Sequence, residues 1–399
     1  MNPTLVPASE LERDPHRVFK LHRPVTPFLQ REDSTFIAIR AADVEQLSTD
    51  PRTRQMETES VRLRGVTEGP LFDFVSNSML LSNGPGHRRR RAPFARAFAF
   101  KVINDLRPHI RKIVGEIIDE HYARGAMRFR DELARWVPAR VTADVLGIAA
   151  ADIPTFTENV YQLARALTPT FTRGDVPDLN AAAERLARYV EELLEERRRE
   201  PREDLLTSYL QAVEESEALS RIETIIQVVT VILAGSDTTR AALTIQLSLL
   251  MQHREQWEAL GRDPALIKGA VLESLRYEPS VGSFPRVTLE DIEIDGCTVP
   301  RGSLLSISTM SAMRDPALYD EPDRFDITRS DHPRRPLVFG AGVHRCLGET
   351  LALAELEETL GVIAERLPDL ELVDAAPAVE GSGGIRRVGE MGVRWRAAS

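Results

Sequence analysis

Apolar residues follow two rhythms along this chain, a helical one over most of its length and a strand-like one in short stretches late in the sequence. Ile110, Ile113, Val114, Ile117 and Ile118 recur at helical spacing, so residues 104–146 are expected to be mostly helical, with a break near Pro138. Leu186, Val190, Leu193 and Leu194 share one face of a second helix over 180–199; its charge run at 195–200 reads as a solvated end that Pro201 stops. Between these lies a loop over 168–175, rich in turn formers. Residues 223–253 are apolar nearly all round in their first half, the mark of a helix buried through a core. A further helix is expected over 350–360. Strand-like segments at 292–294 and 304–308 are separated by turn signals at Asp295-Gly296 and Arg301-Gly302. With no repeat and no long linker, the pattern predicts a mainly α fold with small β-sheets and one domain over residues 1–399.

Composition narrows the function. The net charge of −10 argues against general nucleic-acid binding, which needs a basic surface to displace counterions from phosphates. The positive charge is nearly all arginine, since Lys20, Lys101, Lys112 and Lys268 are the only lysines. Cys297 and Cys346 are too few for a disulfide framework, which fits a reducing compartment. The N-terminal residues carry Glu10, Glu12, Arg13 and Asp14 with no signal-like apolar stretch. The most apolar run, residues 225–235, contains Gln227 and Thr230 and falls short of the ~20 residues of a membrane span. A cytoplasmic protein without a membrane anchor is expected.

The segment Phe339-Gly340-Ala341-Gly342-Val343-His344-Arg345-Cys346-Leu347-Gly348 carries the chemistry. Its glycines allow backbone conformations closed to other residues. Cys346 stands just ahead of the helix expected at 350, where amide donors and the helix dipole would stabilise a thiolate. A thiolate is the axial ligand that pushes electron density onto haem iron. Gly340-x-Gly342 imitates the start of a dinucleotide fingerprint, but Arg345 takes the third glycine's place and no βαβ unit follows. A lone buried cysteine is more often structural, and its neighbours are what oppose that reading here.

Phe339-x-x-Gly342-x-His344-x-Cys346-x-Gly348 resembles the haem-binding loop of the cytochrome P450 family. Glu273-Ser274-Leu275-Arg276 is similar to the family's E-x-x-R pair. Pro322-Asp323-Arg324-Phe325 resembles the segment that supplies the third member of that buried network, here Arg324. Ala234-Gly235-Ser236-Asp237-Thr238-Thr239 resembles the oxygen-side A-G-x-D-T-T segment. Gly235 is expected to let the helix open beside Ala234. Thr238 would then hydrogen-bond dioxygen and Asp237 would feed it protons. Such a tripeptide can also simply bond back to the preceding turn. His87 and Arg91, four apart on one helix face, together with Arg286 and His344, match the family's partners of the haem propionates. Ala234, Phe339, Gly340 and Gly348 complete the cofactor contacts that the resemblance implies.

The family's docking helix for an acidic iron–sulfur donor would place Arg88, Arg89 and Arg90 as a basic patch, or as a merely solvated helix face. One departure stands out: where the family commonly shows L-A-R-x-E after the cysteine, this chain has Leu353 in place of the arginine. Substrate contacts are expected from Leu233, Val281, Ser283 and Phe284, lining an apolar pocket for a hydrophobic small molecule. The resemblance implies the cytochrome P450 fold, with haem b between the long central helix and the cysteine loop. It implies a soluble, monomeric monooxygenase that inserts one atom of dioxygen into substrate. Electrons would come from a ferredoxin-type donor and its reductase, so that NAD(P)H serves only indirectly. A haem sensor or carrier without turnover is the alternative; it would keep Cys346 but have no need of Asp237 and Thr238.

Overall fold

In a computed structural model, residues 3–97, 100–168, 171–333 and 335–397 are described. The helices that position the site are α1 (Gly84–Ala97), α2 (Phe100–Tyr122), α3 (Trp136–Leu146), α4 (Ile153–Ala164), α5 (Val176–Arg199), α6 (Arg221–Gln252), α7 (Ile267–Tyr277) and α8 (Glu349–Arg366). Six short strands form the largest sheet: β1 (Thr4–Val6), β2 (Phe28–Arg31), β3 (Phe36–Ala38), β4 (Thr53–Gln55), β5 (Phe284–Thr288) and β6 (Leu304–Ile307). Their spatial order is β1-β2-β3-β6-β5-β4.

The α6 helix is the axis of the molecule. Ser220 starts it with a reciprocal cap: its hydroxyl accepts the Glu223 N–H, and the Glu223 carboxylate accepts the Ser220 N–H. It is long and apolar enough to cross a membrane, yet 67% of its most apolar window is buried inside the protein, as in a core helix. Two separate clusters hold it. Ile225 to Leu233 pack with Phe74, Leu163, Val190 and Tyr209. Ala241 to Leu250 pack with Ile110, Leu133, Val271 and Leu360. The stretch between, residues 234–240, belongs to neither cluster.

The expected helix over 104–146 is two helices, and the break is not at Pro138. The α2 helix ends at Tyr122, and the chain turns at Gly125, whose φ of +67° favours glycine. Strand Ala126–Arg128 and a π-helical turn at Arg130–Ala134 follow. Pro138 sits in the first turn of α3, where its missing N–H costs no helical hydrogen bond.

The α5 helix ends before Pro201 as expected, but its last turn is not all solvated. Arg197 is buried, its Nε donating to Asp204 at 2.5 Å and its Nη2 to the Gly147 carbonyl at 3.2 Å. Of the expected loop at 168–175, Pro169 and Thr170 lie outside the described residues, and Arg173–Asp175 form a short 3-10 turn. Both late strands form, but they do not pair with each other: Ile292–Ile294 pairs antiparallel with a strand not expected, Cys297–Val299, across Asp295 and Gly296, both at positive φ, while Leu304–Ile307 joins the large sheet as β6.

Candidate haem site and oxygen-side helix

The cysteine loop is shaped by its glycines. Gly340 and Gly342 adopt φ of +71° and +61°, and a Cβ on Gly342 would come within 2.8 Å of Thr49. The loop closes on itself through the Cys346 N–H, which donates to the Phe339 carbonyl at 2.8 Å. Phe339 is buried in the cluster that holds the second half of α6. Arg345 spans the loop, donating to the Gly340 carbonyl at 2.9 Å and to Glu349 at 2.5 Å. Gly348 is the N-cap of α8, so Cys346 stands two residues ahead of that cap.

The thiol environment differs from the expectation of a lowered pKa. Burial pushes the Cys346 thiol up, more than the Gly348 N–H, Arg91 and Arg345 pull it down. Its surface nevertheless remains open, which places the sulfur in a hollow surrounded by protein.

Four basic side chains gather beside it. His87 and Arg91 come from α1, Arg286 from β5 and His344 from the loop. The His87 and His344 rings lie with centroids 4.0 Å apart. Arg91 donates to the Arg345 carbonyl at 2.6 Å. Arg286 donates to Gln55 Oε1 at 2.8 Å, because β4 and β5 pair Gln55 with Arg286. Among the described residues none of the four has a carboxylate partner, and the buried His87 Nδ1 has no hydrogen-bond partner at all. Burial lowers all of them: Arg91 falls below its ordinary value, Arg286 to about 10, His87 to about 4 and His344 to about 3, the histidines helped down by their cationic neighbours. The two guanidiniums are thus cations without a paired carboxylate, and the two imidazoles are neutral there, groups suited to receive an anion.

The distal side is the gap in the core packing of α6. Ala234 is exposed halfway along a buried helix, with Gly235, Asp237 and Thr238 half-buried beside it. The helix runs unbroken through Gly235, so the expected local opening is not observed. Thr238 Oγ1 donates to the Ala234 carbonyl at 2.8 Å, the back-bond to the preceding turn. Asp237 is ion-paired with Arg240 one turn on.

Sequence reasoning missed Glu355. This residue of α8 is fully buried beside Thr239, and burial raises it to about 8. It ties the distal stretch of α6 to the helix that begins just after Cys346. The signal is in the sequence, since the acid falls in the L-A-x-x-E stretch that also carries the replaced arginine.

A model of the cytochrome P450 family matches residues 153–263 and 265–367. A plant-inducible cytochrome P450, pinF1, from Rhizobium radiobacter is 44% identical over 394 residues, 99% of this chain and 93% of that protein. The chain belongs to the cytochrome P450 family.

Two solved structures extend the match. CalO2 superposes with a TM-score of 0.91 at 31% identity, covering 98% of both chains. P450BioI, in complex with a hexadec-9Z-enoic acid-ligated acyl carrier protein, superposes with a TM-score of 0.87 at 27% identity, covering 97% of this chain and 100% of that one. The cytochrome P450 fold is therefore this chain's fold, its activity is that of an oxidoreductase of the monooxygenase type, and the family implies a haem-thiolate cofactor.

Three of the expected side-chain positions need correction. Arg324 is not the third member of the buried network. Its side chain is 61% exposed and pairs with Glu321 and Asp326, while only its carbonyl accepts from Arg276. Arg329 takes the place instead, 7% exposed with Nε 3.5 Å from Glu273, and Glu273 also accepts both Arg276 bonds at 2.6 and 2.8 Å. Leu233 points into the core cluster rather than into open space. Ser283 is buried within the sheet, its hydroxyl accepting from Ser306 at 2.7 Å. Val281 and Phe284 remain half-buried. The Val281 backbone pairs with Ile385, and the Phe284 ring lies against Gly340. The basic patch also shrinks. Arg89 and Arg90 both bond Glu223, which leaves Arg88 as the member of the three outside that ion pair.

Proposed function

We propose that this chain is a cytoplasmic, single-domain haem-thiolate monooxygenase over residues 1–399, acting on a hydrophobic small molecule with electrons from a separate ferredoxin. The observation that carries the reading is the set His87, Arg91, Arg286 and His344 around Cys346, four bases without a carboxylate. Two haem propionates would supply the missing charge, with Cys346 as the iron ligand and Phe339, Gly340 and Gly348 shaping the loop beneath. When bound, haem supplies dioxygen activation and transfer of one oxygen atom to substrate.

The chain's own groups do the rest. A thiol that burial keeps protonated needs a cation to release its proton, so cofactor binding and thiolate formation are one event. Thr238 Oγ1 holds a proton that now points at the Ala234 carbonyl and can rotate into the hollow. Asp237, at the edge of the same stretch, moves protons to it from the protein's outer side. A sensor or carrier would have no use for this acid–alcohol pair.

Half-buried apolar groups, Val281 and Phe284, support an apolar substrate. The fatty-acyl ligand of P450BioI is in keeping with that class. The test is turnover with a surrogate ferredoxin, ferredoxin reductase and NADPH, screened against apolar molecules under labelled dioxygen. Ferredoxin-dependent incorporation of one labelled oxygen atom is expected. Haem-loaded protein that oxidises no NADPH with any of them would contradict the reading and favour the sensor.

A further inference from the structure

The wall that carries Val281 is built from two segments of chain. Residues 278–283 lead from α7 to β5, and a hairpin pairs Val379–Glu380 antiparallel with Arg387–Val388. The tip of that hairpin runs along the first segment. The Arg386 N–H donates to the Ser280 carbonyl at 2.9 Å, and the Gly282 N–H donates to the Gly384 carbonyl at 2.9 Å. These bonds bracket Val281 and Ile385, so the two form the kind of antiparallel pair whose side chains stand closest. Alternation along a strand puts Val281 and Ile385 on one face and Ser280 and Arg386 on the other. Burial follows it: Ser280 and Arg386 are buried, while Val281 and Ile385 are half-buried.

The tip has little of its own to hold it. Residues 381–384 read Gly-Ser-Gly-Gly, with Gly381 and Gly384 at φ of +91° and +58°. A Cβ on Gly282 would come within 2.7 Å of the Ser382 carbonyl, so the two segments approach as closely as glycine permits. Arg386 supplies the hold. Its Nε donates to the Gly381 carbonyl at 2.8 Å and its Nη2 to the Val379 carbonyl at 3.3 Å, closing the hairpin from within. Its Nη1 donates to the carboxylate of Glu278, which belongs to the other segment. Glu278 is itself fixed, with His16 Nε2 at 3.1 Å and Arg314 Nη2 at 3.4 Å. Burial opposes its charge, yet His16, Arg386 and Arg314 bring it down to about 2.

We propose that Arg386, anchored on Glu278, is a positioning residue that sets how far the hairpin tip and Ile385 reach over the hollow beside Val281. It thereby sets the bulk of substrate that this wall admits. The inference deepens the proposed function, and rests on it for Val281 as a pocket residue and for haem as the reporter. Backbone bonds alone would hold a tip of this composition loosely, because glycine has the most conformational freedom to lose. A buried guanidinium that grips both segments removes that freedom, and its planar fork confines it in direction.

The test is titration of the ferric holoprotein with imidazoles carrying methyl, phenyl and biphenyl groups, followed by the shift of the Soret band. The imidazole nitrogen binds the iron, so the substituent alone probes the room in the hollow. Arg386→Gln is expected to lower the ratio of the biphenyl to the methyl dissociation constant by about tenfold or more, since a freed tip yields to the larger ligand. Arg386→Lys, which keeps a cation for Glu278 but not the grip on the carbonyls, is expected to fall between. Glu278→Gln should act in the same direction, and the double variant should go no further than the larger single change, because the two act as one unit. A merely structural role would lower the unfolding midpoint and leave the ratio in haem-loaded molecules in place. Each variant's reduced carbon monoxide spectrum is recorded alongside. A normal spectrum with the parental ratio in Arg386→Gln, or additive changes in the double variant, overturns the proposal. Failure of every variant to load haem overturns it too, by making Arg386 a folding residue only. An abnormal spectrum in the parent protein would instead count against the haem reading.

Discussion

Thr239 of α6 faces Glu355 of α8, so that the distal stretch meets the helix that follows the cysteine. The nearby Thr239 does not offset the loss of solvent around a fully buried carboxyl, and burial raises Glu355 to about 8, so the side chain is mostly protonated at neutral pH.

That shift has a pH signature. The folded protein holds a proton that the unfolded chain releases near its ordinary value of 4.5. The stability it contributes is fully present below that value and is lost as pH rises through about 8. Between these limits the slope approaches about 1.4 kcal/mol per pH unit. Urea unfolding at pH 5, 6.5 and 8 should show a decline in the parent protein that is flattened in Glu355→Gln. Equal declines in both would place the cause elsewhere.

The exchange of Arg324 for Arg329 in the buried network predicts unequal costs. Arg329→Ala leaves the fully buried Glu273 with less compensation and should cost about 3 kcal/mol or more. Arg324→Ala removes exposed pairs and should cost under about 1 kcal/mol. Denaturant midpoints of the two variants compare them directly, and the reverse ranking would restore Arg324 to the network.

Removing a member of the basic set should weaken haem retention while leaving the fold intact. A hydrogen bond to a charged group contributes about 1.5–3 kcal/mol, so Arg286→Ala or His87→Ala should speed haem loss roughly tenfold or more. Transfer to an excess of apomyoglobin measures the rate. An unchanged rate in both would mean that these bases face something other than the propionates.

How much was legible in the sequence follows from what kind of signal each feature leaves. The α6 helix was visible because it is apolar nearly all round, and the cysteine loop because its glycines and cysteine fall at fixed spacings. Arg324 and Arg329 both lie in a polar stretch, and charge alone does not say which is buried. The answer is set by the Asp326 N–H, which donates to Glu273 at 2.9 Å and turns the chain so that Arg329 follows it inward. Pro138 does not break the helix because it falls in a first turn, and where that helix starts follows from the turn at Gly125. Leu233 and Ser283 belong to apolar, little-charged segments expected over the hollow. The helical angle and the strand alternation turn both away from the hollow. The Arg386–Glu278 contact joins residues 108 positions apart and leaves no local pattern.

The most direct test of the central claim is the absorption spectrum of the reduced protein exposed to carbon monoxide, for the parent chain and for Cys346→Ala. The account predicts a strongly red-shifted Soret band in the parent that is lost in the variant. A Soret band without that shift in the parent, or a shifted band that survives in Cys346→Ala, would contradict it.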